Sequence, residues 1–318
     1  MSALDLRAGE NPRPALVQFP DALKEIQIMI RQITIIGVGL IGGSFALALK
    51  KHGYKGTIVG SDRDPVLELA LAKGVVDRAV SRPEEAISGS DLVLLAPPVG
   101  AIVDLIERLG PLLPPGALLS DTGSTKAEIV SRAKSVFGNQ MAQRFLGGHP
   151  MAGKENSGVE FADPALFENA VWFLVSDGDQ AAPLTGRAQE FCELVKMVGA
   201  RPLRMPSDRH DRLCGWISHL PQMIATALAA TLEEEFGDDP ELQSIGGRAL
   251  REMTRISSSP YSMWRDIAHT NTENIQEALL QLEQRLAFIR ENLKTPGLRD
   301  EFERANKFNA KKQEDKEV

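Results

Sequence analysis

The first two thirds of the chain alternate short apolar runs with amphipathic stretches, and this alternation restricts the fold more than any other feature. ITIIG (33–37), GTIVGSD (56–62), DLVLLAPP (91–98), GALLSDTG (116–123), FLGGHP (145–150), AVWFLVSD (170–177) and RPLRM (201–205) each read as a buried strand. Between them, SFALALKKHG (44–53) reads as a helix ending on a glycine cap, PVLELALAKG as a second helix, and a further helix is expected near 184–199. Strands separated by helices of this size imply an α/β fold: a doubly wound parallel sheet covered on both faces.

From about residue 207 the pattern changes to helix throughout. In NIQEALLQLEQRLAFIRENLK, the residues Ile275, Leu279, Leu282, Leu286, Ile289 and Leu293 are spaced 4, 3, 4, 3, 4. That is a heptad seam, suited to pairing helices within a domain or between subunits. Thr270 and Glu273 have the spacing of a capping box at its start. The polar end of the chain is expected to fray. The resulting division is an N-terminal extension over 1–30, a sheet domain over 31–206, a helical domain over 207–296 and a polar tail over 297–318.

Charge and cysteine usage exclude several functions. A net charge of −7 over 318 residues argues against nucleic-acid binding, which needs clustered positive charge. The two cysteines, Cys192 and Cys214, suggest neither a disulfide framework nor a metal cage, so a reducing cytoplasm and no metal are expected. Asp5, Glu10, Asp21 and Glu25 interrupt the first thirty residues, which lack the apolar core of a signal peptide. LCGWISHLPQMIATALAATL (213–232) has no formal charge and approaches a bilayer's length. It also contains His219, Pro221 and Gln222 between polar flanks, so a central helix buried on all sides is expected instead of a membrane span.

GVGLIG (37–42) fits G-x-G-x-x-G directly after a strand and opens a helix. Gly37 allows the tight turn, Gly39 lets the backbone approach a pyrophosphate, and Gly42 allows close helix packing. Val38, Leu40 and Ile41 complete the cofactor loop. Asp62 ends the second strand, where a carboxylate accepts hydrogen bonds from ribose hydroxyls and repels a 2′-phosphate, favouring NAD over NADP. Arg63 beside it blurs that choice. Ligands of a doubly wound sheet bind beyond the carboxyl ends of its strands. The residues there include Pro97, SDTGSTK (120–126) and the His149-Pro150 pair inside GGHPMAGKENSG (147–158). Pro150 restricts His149 to extended backbone angles, and the glycines make the segment a rigid loop that holds a catalytic imidazole steady. Ser124 is part of the same site, the N-cap of a helix starting near Thr125, or both.

GGHPMAGKENSG, DTGSTK, ISHLPQ and TRISSSPYSMW, in this order, closely resemble the prephenate and arogenate dehydrogenase family of tyrosine biosynthesis. The resemblance runs from about residue 31 to 295. It implies a Rossmann-type domain followed by an all-helical dimerisation domain, a homodimer, NAD as cofactor, and prephenate or arogenate as substrate. It implies that His149 hydrogen-bonds the ring hydroxyl and that Ser124 contacts the same hydroxyl and the nicotinamide. By the same resemblance His219 lies by the substrate side chain, Arg255 binds a substrate carboxylate and Trp264 lines the pocket. Lys154 departs from the small hydroxyl residue that related sequences more often carry; Glu155 pairs with it or with a nearby cation. Arg248 and Arg251 lie on roughly the face of Arg255 if the helix is regular, with a solvated face as the plainer alternative. Two other readings stay open. One is another β-hydroxyacid-type dehydrogenase, whose glycine-rich helix motif with catalytic lysine and asparagine is not found. The other is a non-catalytic NAD-binding dimer.

Overall fold

The computed structural model describes residues 29–154 and 156–314; the extension expected over 1–30 therefore lies, save its last two residues, outside the described residues. The chain divides into two compact units between His210 and Asp211.

The first unit carries β1 (Gln32–Ile36), α1 (Leu40–Lys51), β2 (Thr57–Ser61), α2 (Asp64–Ala72), β3 (Arg78–Ala79), α3 (Pro83–Ala86), β4 (Leu92–Leu95) and α4 (Val99–Leu109). It continues through β5 (Leu118–Asp121), α5 (Ala127–Phe137), α6 (Met141–Arg144), β6 (Phe145–Pro150), β7 (Val171–Val175), α7 (Gly186–Met197) and β8 (Arg201–Met205). These strands form one sheet in the order β3-β2-β1-β4-β5-β6-β7-β8. Every residue of β4 and β5 is buried. Because successive residues point to opposite faces, both faces of the sheet are covered. The order reverses between β1 and β4, which opens a crevice at their carboxyl ends. The core is anchored by Trp172, whose ring centroid lies 5.1 Å from Phe167 and 5.4 Å from Phe45.

Two features correct the sequence reading of the sheet. The short edge strand β3 has only two residues, too few to give any periodicity. More consequentially, β7 runs antiparallel to β6, with His149 opposite Phe173 and Pro150 opposite Trp172. Among its described residues the β6–β7 connection contains a single 3₁₀ turn at Val159–Phe161 and no crossover helix. A parallel return needs such a crossover; an antiparallel one does not. His149 is consequently a strand residue in register, not a residue of a tight loop.

The division between units falls within α8 (Ser207–Cys214). The second unit continues through a stretch of π-helix at Gly215–His219, α9 (Leu220–Phe236), α10 (Pro240–Ile245) and α11 (Arg248–Thr254). A 3₁₀ turn at Arg255–Ser258 precedes α12 (Tyr261–Thr270), α13 (Thr272–Glu291) and α14 (Pro296–Glu314). The polar tail, expected to fray over ERANKFNAKKQEDKEV (303–318), is helical through Glu314. The Thr270–Glu273 capping box does not form: Thr270 ends α12, its hydroxyl donates to the Asp266 carbonyl, and Asn271 occupies the N-cap of α13. The stretch 213–232 is not buried on all sides, since Ile217 is 57% and Trp216 38% exposed. Among the described residues no helix is long and apolar enough to cross a membrane. The heptad positions Leu286, on α13, and Leu293, just after it, are also open, at 54% and 61% exposed.

Candidate active site

The glycine loop after β1 has the geometry a dinucleotide requires. Gly37 has φ 93°, and a Cβ there would lie 2.7 Å from the backbone of Ala96 and Pro97. A Cβ on Gly42 would lie 2.2 Å from the Gly37 carbonyl oxygen, so the loop and the first turn of α1 close only on glycine. At Gly39 a Cβ would meet nothing within 4 Å. Gly39 is the N-cap of α1 and no side chain caps the helix, so its first N–H groups are left for an anion. Asp62 finishes this cradle: Oδ2 accepts from the Val38 N–H at 2.8 Å and Oδ1 from the Arg63 N–H at 2.7 Å. The cleft beside it encloses about 720 Å³ and is lined by Gly37, Asp62, Arg63, Ser81, Pro97 and Arg108, among others. These residues fit a dinucleotide. The Arg63 side chain is 87% exposed and reaches the Asp62 carboxylate only at 4.0 Å.

At the ends of β5 and β6 a single carboxylate ties two candidate residues together. Asp121 is fully buried; its Oδ2 accepts from the Gly123 N–H at 2.8 Å and pairs with the buried Lys126 ammonium. Its Oδ1 accepts from the Gly148 N–H at 3.2 Å. Burial pushes the Asp121 pKa up, against the opposing pull of Lys126 and the two backbone N–H groups. Asp121 therefore fixes the loop carrying Ser124 and the residue preceding His149 with one side chain. Ser124 is half-buried on that loop. The capping alternative fails, because α5 begins at Ala127 with Lys126 at its N-cap.

His149 is 8% exposed, and its Nδ1 lies 2.8 Å from Nε2 of the fully buried His210. Phe173 packs against both rings, with centroids 6.0 Å from His149 and 5.0 Å from His210. His210 was not singled out in the sequence. It stands in the polar run RHDR (209–212), and nothing local marks a histidine as the partner of another sixty-one residues earlier.

In the helical unit the π-helix before Pro221 carries His219, which is 1% exposed. A π turn satisfies the backbone that a proline would otherwise leave open, and such turns recur at functional sites. Asn271 Nδ2 lies 3.0 Å from His219 Nδ1, and the Trp264 ring stands edge-to-face with the imidazole at 5.8 Å. Burial lowers the His219 pKa to about 4, only partly offset by Asp211. Gln222, one turn on, donates from Nε2 to the Ile256 carbonyl at 2.9 Å and so pins the 3₁₀ turn that bears Arg255. Arg255 is exposed on that turn. The α-helix ends at Thr254, before Arg255; Arg248, which pairs with Glu252, and Arg251, which donates to the Gly246 carbonyl, are both exposed. For these two arginines the solvated alternative holds.

Lys154 pairs with Asp163 at 2.8 Å, both partly exposed; Glu155 lies outside the described residues.

Residues 45–201 match the family model for the prephenate dehydrogenase nucleotide-binding domain, and residues 206–307 match the model for the prephenate dehydrogenase dimerization domain. A prephenate dehydrogenase of Lactococcus lactis is 34% identical over 81% of this chain and 70% of its own length. One from Bacillus subtilis is 34% identical over 76% of this chain, which spans 65% of that relative's length. The crystal structure of prephenate dehydrogenase from A. aeolicus in complex with hydroxyphenyl propionate and NAD+ covers 92% of this chain and 99% of its own at 30% identity, with a TM-score of 0.78. With a glycine cradle ending on Asp62, a buried histidine on β6 and a helical second unit, the chain belongs to the prephenate dehydrogenase family.

Proposed function

We propose that the chain oxidatively decarboxylates prephenate to 4-hydroxyphenylpyruvate with NAD, as a cytoplasmic homodimer. The observation that carries this reading is the Asp121 hub, which orders Ser124 and His149 together at the strand ends of the unit that also holds the nucleotide cradle. In the reaction the ring carbon bearing the hydroxyl loses hydride, the ring carboxylate leaves as carbon dioxide, and the ring becomes aromatic. The dinucleotide, held by the 37–42 loop and Asp62, accepts the hydride when bound.

His149 takes the hydrogen bond, and the proton, of the ring hydroxyl and returns the proton to the phenolic oxygen as carbon dioxide departs. With its proton on Nδ1 donated to His210 Nε2, the lone pair of His149 lies on Nε2, the tautomer a base requires. Ser124 orients the hydroxyl. Arg255 binds a substrate carboxylate through bidentate geometry. His219 and Trp264 receive the substrate side chain, and Lys154 and Glu155 stand at its periphery. The open seam from Leu282 to Leu293 supports pairing with a second copy. Both cysteines are buried and unbridged, in keeping with a reducing compartment.

A side-by-side assay with prephenate or arogenate and NAD or NADP tests the reading. Carbon dioxide release matched by reduced nucleotide, fastest with prephenate and NAD, is expected. Dinucleotide binding without turnover of either substrate would support a non-catalytic dimer instead.

A further inference from the structure

Strand β7 meets the His149–His210 pair at two points. The first is Phe173, which stands in register with His149 across the antiparallel β6–β7 ladder and is buried. Its ring packs against both imidazoles and meets that of His210 edge-on, at an interplanar angle of 89°. The second is Asp177, at the surface two residues beyond the end of the strand. β8 runs parallel to β7 with Met205 beside Val175, and the chain then turns through Pro206 into α8. The first N–H of α8, on Ser207, has no carbonyl within the helix to accept it. Asp177 Oδ1 accepts from that N–H at 3.0 Å and from the Ser207 hydroxyl at 2.8 Å. The His210 N–H closes the same turn on the Pro206 carbonyl at 3.0 Å. Ser207 and His210, three residues apart, share one face of that turn, and both are buried.

This turn is short. The first compact unit ends at His210, so α8 contributes to it only the stretch from Ser207 to His210. His210 fixes the tautomer of His149 only while its Nε2 stays in reach, and from 2.8 Å a drift of about 0.8 Å breaks the hydrogen bond. We infer that Asp177 is a positioning residue of the catalytic site: by holding Ser207 it seats the first turn of α8, and through that turn it keeps His210 Nε2 on His149 Nδ1. The inference rests on the role proposed above for His149 as the base. Phe173 fills the space beside the two rings but has no polar atom to hold the turn. The carboxylate supplies that hold, and its negative charge suits the positive end of a helix.

The test uses the full chain with saturating NAD. Asp177→Ala should lower kcat with prephenate by about three- to tenfold, the range that corresponds to one lost helix cap. The KM for prephenate should change by less than about twofold, because Asp177 acts on the base and not on substrate binding. Asp177→Asn keeps an acceptor oxygen for both Ser207 donors and should recover most of the loss. In a His210→Leu background Asp177→Ala should lower kcat no further, since the residue through which it acts is gone. Nitrogen-15 NMR of the substrate-free protein should place the His149 proton on Nδ1 in the parent and in Asp177→Asn, and divide it between Nδ1 and Nε2 in Asp177→Ala.

Unchanged kcat in Asp177→Ala, a loss that persists in the His210→Leu background or in Asp177→Asn, or a His149 tautomer that Asp177→Ala does not move would overturn the positioning role while leaving the dehydrogenase reading intact. The expected tautomer shift in a protein that turns over neither prephenate nor arogenate would overturn the functional reading and not the hold of Asp177 on the histidine pair.

Discussion

His149 Nδ1 and His210 Nε2 stand 2.8 Å apart, and the ring of Phe173 packs against both imidazoles. One imidazole thus sets the tautomer of the other. His149→Asn retains a polar group of similar reach but cannot take a proton near neutrality, so turnover should fall roughly 10²–10⁴-fold with little change in substrate affinity. The loss of activity toward acid pH expected of the parent enzyme should be absent from this variant. His210→Leu removes the acceptor for Nδ1–H and should lower kcat about tenfold or more, and His210→Gln, which keeps an acceptor, should recover part of it. Unchanged kcat in His210→Leu would separate the two rings functionally.

Asp121 and Lys126 form a fully buried ion pair. Asp121→Asn leaves the ammonium buried without its counter-charge and should destabilise the protein by about 3–5 kcal/mol in urea unfolding. Combining it with Lys126→Met should restore much of the stability. Activity should stay low in the double variant, because the Gly123 and Gly148 N–H groups lose the carboxylate that orders Ser124 and His149.

Asp62 engages the Val38 and Arg63 N–H groups with separate oxygens. Asp62→Ser removes the charge that repels a 2′-phosphate and leaves the exposed Arg63 to attract it, so the ratio of kcat/KM for NAD to that for NADP should fall. A parent enzyme that already prefers NADP would assign selectivity to Arg63.

The α13 seam predicts dissociation on charge insertion. Leu286 is more than half exposed in the single chain, so Leu282→Glu with Leu286→Glu should cost little within one chain yet block burial against a second copy. Sedimentation should show a dimer for the parent and a monomer for the variant.

His219 makes stability pH-dependent. Its folded pKa is about 4 against an ordinary 6.5, so the unfolded chain takes the proton first as pH falls. Stability is intact above about pH 6.5 and is lost progressively toward pH 4, by about 2 kcal/mol at pH 5. His219→Gln should remove that part of the acid destabilisation, as read from urea unfolding at pH 7 and pH 5.

The sequence alone determined the α/β class, the positions of seven of the eight strands, the glycine cradle with Asp62 and the helical second half. Each rests on short-range periodicity or on a contiguous motif, and local sterics write such features directly into the chain. It also singled out His149, Ser124, His219 and Trp264, because their motifs are compact. Pairings across distance were decided only by tertiary structure. His210 beside His149, Asn271 beside His219 and the antiparallel return of β7 join residues whose local patterns carry no mark of one another. The same holds for helix boundaries: Thr270 and Asn271 look like a cap followed by a filler, yet packing ends α12 on the first and gives the second to His219. A side-chain hydrogen bond is specified by where the backbone brings its atoms. That placement depends on the whole core, so the partners of these histidines became legible only once the chain was folded.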